Sequence, residues 1–167
     1  MKNKFEQERN DFVNDRLSKK YDELYASSGE MIFGGKPTEF VSEIPNLIKS
    51  GKALDIGGGD GRNALYLAEH DFDVEVVDLS QSGLDKLKKF ADEKGLQIKT
   101  HVGDIMKEKI HGTYESIVSS FMMHHLSRFE AETLIKEMKE HTAPGGVNVL
   151  AVFTKEGDFY KSDPNTK

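Results

Sequence analysis

A glycine-rich turn carries the residues with the clearest chemical potential in this chain of 167 residues. Asp55, Gly57, Gly59 and Gly61 form the pattern D-x-G-x-G-x-G directly after a short apolar run. Glycines let the backbone turn sharply and let a ligand approach without meeting a Cβ atom. A dinucleotide fingerprint would need a glycine or alanine where Arg62 stands, and no phosphate-binding G-x-x-x-x-G-K-[ST] motif occurs. The turn therefore favours a ligand with a nucleoside and no phosphate.

Two further aspartates follow at spacings that suit the same ligand. Asp78 lies 21 residues after Gly57, where an acidic side chain can accept hydrogen bonds from both hydroxyls of a ribose. Asp104 follows Gly103 and can accept a hydrogen bond from the exocyclic amine of adenine. Each aspartate alone is equally well explained as a helix cap or turn residue. The ordered set of three favours a nucleoside site.

His124 and His125 follow the fourth predicted strand, where a second substrate would meet such a ligand. An imidazole with an ordinary pKa, about 6.5, can act as a base, or bind an anion when charged. Alternatively, the pair shapes the pocket or caps the next helix, and we expect at most one of the two to face the reaction. We predict no metal site, because the chain has no cysteine and its histidines lack the spacing of zinc motifs.

The pattern of apolar runs and chain breakers alternates strands with helices from about residue 52 onward. The predicted strands are residues 53–56, 74–78, 97–102, 114–121 and 147–153. This alternation predicts a three-layer α/β sandwich, in which a mostly parallel sheet has helices on both faces. The glycine turn and the polar residues fall at the carboxyl ends of strands, where ligands bind in such sheets.

An apolar stripe at helical spacing runs through the first 25 residues. We predict an N-terminal helix that either packs on the domain or covers the substrate side, with the polar residues between the stripe facing water. Residues 26–36 have the glycines of a flexible loop, and a second helix is predicted from Pro37. The predicted organisation is an N-terminal helix with a lid-like loop at 1–36, a ligand-binding α/β domain at 37–155 and a tail at 156–167.

Composition and charge narrow the function classes. The 37% apolar content is typical of a globular protein. A net charge of −6 argues against a dedicated nucleic-acid or membrane-surface binder. No stretch reaches the roughly 18 apolar residues of a membrane span, and the N-terminus has no apolar signal core, so we expect a cytoplasmic protein.

Residues 54–63, Leu-Asp-Ile-Gly-Gly-Gly-Asp-Gly-Arg-Asn, resemble the glycine-rich motif of class I S-adenosylmethionine-dependent methyltransferases. Asp78 and the segments 103–105, 119–121 and 144–146 occur in that family's order and spacing. The resemblance implies a Rossmann-like fold, S-adenosylmethionine as the cofactor and methyl transfer to a small-molecule acceptor.

The tellurite-resistance methyltransferase group is the more similar branch of that family. The likeness lies in residues 61–68, Gly-Arg-Asn-Ala-Leu-Tyr-Leu-Ala, and in the Phe-Asp-Val that follows at 72–74. The acceptor itself is left open, because tellurite, selenium or thiol compounds, halides and small metabolites all agree with the sequence.

The resemblance also implies roles for individual residues. Those implied for the methionine part of the cofactor are Asp55, Gly57, Gly58, Gly59 and Gly61. Those implied for the ribose and the adenine are Asp78, Leu79, Gly103, Asp104 and Ile105. Those implied for the path to the methyl group are Ser120, Phe121 and Met122. Gly58 stands where the family often has another small residue such as cysteine, and we expect no functional loss from this difference.

The family sheet usually has seven strands, whereas only five are predicted here, so we expect a member that is shortened at the C-terminus. The strand at 147–153 would then form an apolar edge, and we expect a second copy of the chain or the tail to cover it. Two alternative functions stay open. One is an S-adenosylmethionine-binding module without catalysis, and the other, disfavoured by Arg62, is a nicotinamide-dependent oxidoreductase.

Overall fold

Five parallel strands form a single sheet in the computed structural model, which describes residues 4–154 and residue 156, with side chains from residue 13 onward. The strand order is β3-β2-β1-β4-β5. The strands are β1 Gly51–Ile56, β2 Phe72–Asp78, β3 Ile98–Val102, β4 Tyr114–Ser120 and β5 Thr142–Ala151. From β1 the sheet extends to β2 and β3 on one side and to β4 and β5 on the other, so the topological switch point lies between β1 and β4. The crevice outside the carboxyl ends of these two strands is the ligand position expected for this topology.

Helices cover both faces of the sheet. They are α1 Lys4–Ala26, α2 Glu39–Ser42, α3 Ile44–Leu47, α4 Arg62–Ala68, α5 Gln81–Glu93 and α6 Arg128–Glu140, with a 3₁₀ turn at Met123–His125. One buried cluster joins Leu67 and Leu87 of α4 and α5 to Val76 of β2. A second cluster joins Leu134 of α6 to Ile56 of β1 on the opposite face. These two cores confirm the predicted three-layer α/β architecture.

Two predicted helix starts are confirmed by their caps. The Ser80 hydroxyl accepts a hydrogen bond from the Gly83 N–H at the start of α5. Ser127 and Glu130 form a complete capping box at the start of α6, with each side chain bonded to the backbone of the other residue. Such caps satisfy N–H groups that have no partner within the helix, so they define where each helix begins.

Two predicted boundaries are wrong. The helix predicted from Pro37 is instead two single turns, α2 and α3, because Pro45 has no N–H to donate to the Val41 carbonyl. Residues 144–146 were predicted to precede the last strand, but they lie within β5, whose register shifts opposite Tyr114 and Ser116. The strand accommodates these extra residues as an irregularity of the kind that β-bulges create.

None of the helices in the described part of the chain combines the length and apolar character that a bilayer crossing requires.

Replacing Ser127 with alanine tests the capping box. We expect S127A to lower the free energy of unfolding by about 1 kcal/mol, because the Glu130 N–H loses its acceptor, whereas the N–H of residue 127 still donates to the Glu130 carboxylate. Urea denaturation measures this change. The matched control is T133A, which removes a hydroxyl bonded to the Phe129 carbonyl within the same helix. That control should change the free energy by at most about 0.5 kcal/mol, and equal losses in the two variants would contradict the cap.

Candidate functional site

The glycine turn between β1 and α4 is held in a conformation that only glycine adopts easily. Gly57, Gly59 and Gly61 have φ angles of 74°, 55° and 93°. The Gly57 N–H donates to the carbonyl oxygen of Val77 in β2 at 2.7 Å. This bond fixes the start of the turn at the carboxyl end of the sheet, because it links the end of β1 to the end of the neighbouring strand β2.

The outer side of this turn lies against two large side chains. A Cβ atom on Gly57 would stand 2.7 Å from Cβ of Met122, and a Cβ atom on Gly59 would overlap the hydroxyl of Tyr25. Tyr25 belongs to α1 and is only 6% exposed. The glycines therefore serve a close approach as well as a turn, and Tyr25 is part of the wall of the site.

Asp55 is the most unusual group in the site. Its side chain is fully buried, and neither carboxylate oxygen has a hydrogen-bond partner among the described residues. Burial, followed by the negative charge of Asp78, raises the pKa of Asp55 to about 7, and Arg62 partly opposes this shift. A buried carboxylate without donors is costly, so this group is suited to a positively charged ligand.

Gly58 packs directly against the carboxylate of Asp55. A Cβ atom at position 58 would lie 3.0 Å from Oδ2 of Asp55 and 2.6 Å from Cγ1 of Val76. A cysteine or alanine would need Val76 to shift. Glycine is thus the residue that this local packing accommodates, which gives a structural reason for the difference from the family pattern at this position.

Asp78, the last residue of β2, ties the turn to the next connection. Its Oδ2 accepts a hydrogen bond from the Gly59 N–H at 2.8 Å, and its Oδ1 accepts one from the Ser80 N–H at 2.8 Å. Burial raises the pKa of this carboxyl, the two backbone hydrogen bonds oppose that, and the charges of Asp22 and Asp60 add to the rise. The predicted ribose-binding side chain therefore lies directly beside the glycine turn.

Asp60 adds a further buried carboxylate to this edge. It is 2% exposed, and its Oδ2 accepts a hydrogen bond from the Ile32 N–H at 2.7 Å. Nζ of Lys86 lies 3.9 Å from the same oxygen. The floor of the site is thus acidic, and an anionic phosphate would find it unfavourable.

The end of β3 lies next to the end of β2. The Gly103 N–H donates to the Asp78 carbonyl at 3.0 Å, and a Cβ atom on Gly103 would meet the side chain of Glu108. Oδ2 of Asp104 accepts a hydrogen bond from Nδ2 of Asn14 at 2.6 Å. Ile105 is 8% exposed and packs in the core beneath.

Aromatic groups surround the end of β4. Phe121 has a φ angle of 56°, which is uncommon for a residue with a side chain. Its ring stacks on Phe153 at 4.6 Å between centroids, and the Arg62 guanidinium lies 5.7 Å from the Phe121 ring centre. The Ser120 hydroxyl is paired with that of Thr38 at 2.7 Å. Such local strain often marks a functional site.

His124 and His125 lie side by side, with ring centroids 4.0 Å apart. Burial, followed by the charges of His124 and Lys20, lowers the pKa of His125 to about 4. Burial and Lys20 also lower the pKa of His124. Both rings are therefore neutral near pH 7, and the predicted option of a charged histidine that binds an anion is not supported.

Sequence reasoning missed the polar face of α1. Asn14, Ser18 and Asp22 were expected to face water, but this is wrong, because all three bond to the sheet edge. The Ser18 hydroxyl donates to the Leu79 carbonyl at 3.0 Å, and Oδ1 of Asp22 accepts from the Ser80 hydroxyl and the Ser82 N–H. Their regular spacing of four residues was the available signal.

Tyr21 completes this face of α1. Its hydroxyl lies 2.8 Å from Nε2 of His125. Helix α1 therefore contacts the segments that follow β1, β2, β3 and β4, and it covers the crevice at the switch point. No group of three potential metal ligands is found within the described ranges.

The comparisons with known proteins point to one family. The family model described as tellurite resistance protein TehB matches residues 15–162. A probable S-adenosyl-L-methionine-dependent methyltransferase TehB from Haemophilus influenzae strain Rd is 33% identical over 144 residues, which are 86% of this chain and 46% of that protein. The chain thus spans about half the length of the curated relatives that it matches.

Solved structures agree with this result. The crystal structure of TehB from Haemophilus influenzae gives a TM-score of 0.64 at 30% identity, covering 78% of this chain and 44% of that one. The N-methyltransferase NodS from Bradyrhizobium japonicum WM9, in complex with S-adenosyl-L-homocysteine, gives a TM-score of 0.66 at 19% identity, covering 80% of this chain and 71% of that one. At this lower identity the likeness concerns the fold alone.

The raised pKa of Asp55 predicts a pH dependence that D55N should remove. Because the pKa in the folded state, about 7, exceeds the ordinary value of 3.8, the stability that Asp55 contributes is complete below pH 3.8 and lost as the pH rises through 7. We expect the difference in unfolding free energy, wild type minus D55N, to fall by about 2–4 kcal/mol between pH 4 and pH 8.

Urea denaturation across this pH range measures that difference. Titrating groups that do not interact with Asp55 contribute equally to both proteins and cancel, so the measured difference reports Asp55 together with its interaction with Asp78. A constant difference between wild type and D55N would show that Asp55 ionises with an ordinary pKa, which would contradict the environment described for it.

Proposed function

The chain belongs to the TehB family, and on that premise we propose that it binds S-adenosylmethionine and transfers the methyl group to a small-molecule acceptor. The observation that carries this proposal is the acidic floor of the crevice, where Asp55, Asp60 and Asp78 lie under and beside a glycine turn. S-adenosylmethionine combines a cationic sulfonium, an ammonium group and a nucleoside without phosphate. Its charge and shape are complementary to such a floor.

The residues at hand fit this cofactor. The buried carboxylate of Asp55 has no donor among the described residues, and the pKa values of Asp55 and Asp78 are both raised. A cation placed near these groups would favour their ionised forms. Gly57, Gly59 and Gly61 have positive φ angles, so the turn has the conformation that glycine adopts easily.

We assign the binding roles along the sheet edge. Asp55 and the turn would hold the methionine part, since they lie at the end of β1, beside the switch point. Asp78 would accept hydrogen bonds from the ribose, and Leu79 would pack next to it. Asp104 would accept one from the adenine amine, with Ile105 behind it. Gly103 is proposed to belong to the adenine side of the site, and its N–H donates to the Asp78 carbonyl.

The sulfonium itself activates the methyl group when the cofactor is bound. The protein's remaining tasks are to exclude water and to align an acceptor at near-attack distance, about 3–3.5 Å. Phe121, Phe153, His124 and His125 lie together at the end of β4. We propose that this group forms the acceptor side of the site, with His125, the more buried of the two histidines, facing the acceptor.

We propose a cytoplasmic enzyme whose partners are a small molecule and neither nucleic acid nor membrane. The β5 edge, where Leu150 and Val152 are 39% and 50% exposed, is proposed to pair with a second copy of the chain. The alternative role of the tail falls on residues outside the described part of the chain.

A nicotinamide-dependent oxidoreductase is disfavoured by the same acidic floor. A pyrophosphate would place negative charge beside Asp55 and Asp78, and the turn lacks the third glycine that such cofactors require. A titration with NADPH and S-adenosylhomocysteine in parallel separates the two functions. Binding of NADPH alone would overturn the proposal.

Methyl transfer is tested with S-adenosylmethionine carrying a tritiated methyl group. Incubation with dithiothreitol, selenide, iodide and tellurite, followed by extraction of the methylated products, identifies any acceptor among these classes. Transfer to at least one of them is expected. Tight cofactor binding without transfer to any acceptor would instead favour the non-catalytic binding module.

Replacing Asp78 with alanine should weaken the binding of S-adenosylhomocysteine by about 10- to 150-fold, because hydrogen bonds to a charged group contribute about 1.5–3 kcal/mol. Isothermal titration calorimetry measures the affinity. The matched control is D73A, which removes a carboxylate near the opposite end of β2 that pairs with Lys99 at the surface. D78N serves where D78A does not fold, and unchanged affinity in a folded Asp78 variant would refute the assignment.

A further inference from the structure

One hydrogen bond joins the N-terminal helix to the acceptor side of the proposed site. The Tyr21 hydroxyl lies 2.8 Å from Nε2 of His125, and the two rings meet edge to face at 5.6 Å between centroids. The two residues are 104 positions apart in the chain. The binding roles assigned above do not use Tyr21, although its ring is half-buried.

The groups that face this pair keep it uncharged near pH 7. Burial and the charge of Asp78 raise the pKa of the Tyr21 phenol. Burial, the neighbouring His124 and Lys20 of α1 lower the pKa of the His125 imidazole. Tyr25 stacks on the outer side of Tyr21 at 6.0 Å. The contact is therefore a hydrogen bond between a neutral phenol and a neutral imidazole, with a single ring proton to place.

The 2.8 Å contact allows two arrangements, because either the phenol or Nε2 of His125 can donate the hydrogen bond. In one of them the phenol oxygen accepts the Nε2–H of His125. In that tautomer Nδ1 carries the lone pair and can accept a hydrogen bond. The opposite tautomer would present an N–H at Nδ1 and could take no proton there.

We propose that Tyr21 is a positioning residue for His125, which it fixes in the tautomer whose Nδ1 accepts a hydrogen bond from a protic methyl acceptor. This inference rests on the proposed methyl transfer and narrows its substrate to a thiol, a selenol or a hydroxyl compound. The hydrogen bond to Nδ1 orients the nucleophilic atom, and the bond to Tyr21 orients the imidazole.

The proton balance of this step agrees with a weakly basic histidine. The acceptor's heteroatom forms its bond to the methyl carbon while the carbon–sulfur bond breaks and its electron pair returns to sulfur. The heteroatom's proton becomes strongly acidic as the new bond forms. Nδ1 of His125 then takes this proton, and the resulting imidazolium donates its Nε2–H to the Tyr21 oxygen until water removes the proton.

The tautomer can be measured without any acceptor. Two-bond proton–nitrogen correlation NMR of the ¹⁵N-labelled protein distinguishes the two ring nitrogens of His125, with H125Q used to assign the signals. We expect Nε2–H in the wild type and a ratio of the two tautomers that falls about fivefold in Y21F, as the loss of one hydrogen bond predicts.

Y66F is the matched control for this measurement. The Tyr66 hydroxyl bonds to the Ser42 carbonyl on α2, and its ring lies beside another histidine, His70. This variant should leave the His125 signals unchanged. Nδ1–H in the wild type, or an unchanged ratio in Y21F, would overturn the inference.

Methyl transfer to two probes tests the chemical role. Dithiothreitol carries a proton on its nucleophilic atom, whereas iodide carries none. We expect Y21F to lower kcat for dithiothreitol about tenfold, with the KM for S-adenosylmethionine and the rate with iodide unchanged. Equal losses with both probes would indicate a merely structural role and would contradict the proposal.

Two other outcomes separate this inference from the proposed function. Transfer by the wild type to iodide alone would overturn the protic acceptor while leaving methyl transfer intact. Complete absence of transfer by the wild type would overturn the proposed function together with the chemical role of His125. The NMR measurement would still decide whether Tyr21 fixes its tautomer.

Discussion

The buried carboxyl groups at the carboxyl edge of the sheet are the constraint on which the site depends. Asp55 is completely buried, has no donor among the described residues and lies beside Asp78. Protein interiors rarely hold a carboxylate in this way, because desolvation is not repaid by hydrogen bonds. The raised pKa values of both aspartates express that cost. A positive ligand would favour the ionised forms of these groups, so their raised pKa values agree with the charge of the proposed cofactor.

Helix α1 supplies the second half of this arrangement. Its side chains at positions 14, 18 and 22 bond to Asp104, to the Leu79 carbonyl and to Ser80, and Tyr25 lies over the glycine turn. Each contact is a single hydrogen bond or ring contact, but together they span the ends of three strands. A helix of low hydrophobicity is thereby fixed on the sheet edge by polar bonds more than by a continuous apolar face. This explains how a segment that is charged along its length can still be an ordered wall of the crevice.

The sequence predicts the sheet and its motif positions well, because both follow from local rules. Alternating apolar runs fix a parallel sheet, and glycines and aspartates at strand ends then fall at one edge. The errors have equally local causes, since Pro45 interrupts a predicted helix and an irregularity lengthens β5. What the sequence could not predict is which residues of distant segments meet. The pairing of Tyr21 with His125 depends on the angle at which α1 crosses the sheet, and only the spacing of its polar residues hinted that this face was buried.

The neutral histidines at the mouth complement the acidic floor. A charged imidazolium at the mouth would repel a cationic sulfonium, because like charges interact unfavourably in a partly buried site. Burial, followed by His124 and Lys20, lowers the pKa of His125 to about 4, so this ring would add no such repulsion near pH 7. The floor would attract the cation, and the neutral histidines would add no further positive charge to that of Lys20 and Arg62 nearby. A neutral ring can still bind a protic acceptor through one nitrogen, provided that a second contact fixes which nitrogen is free.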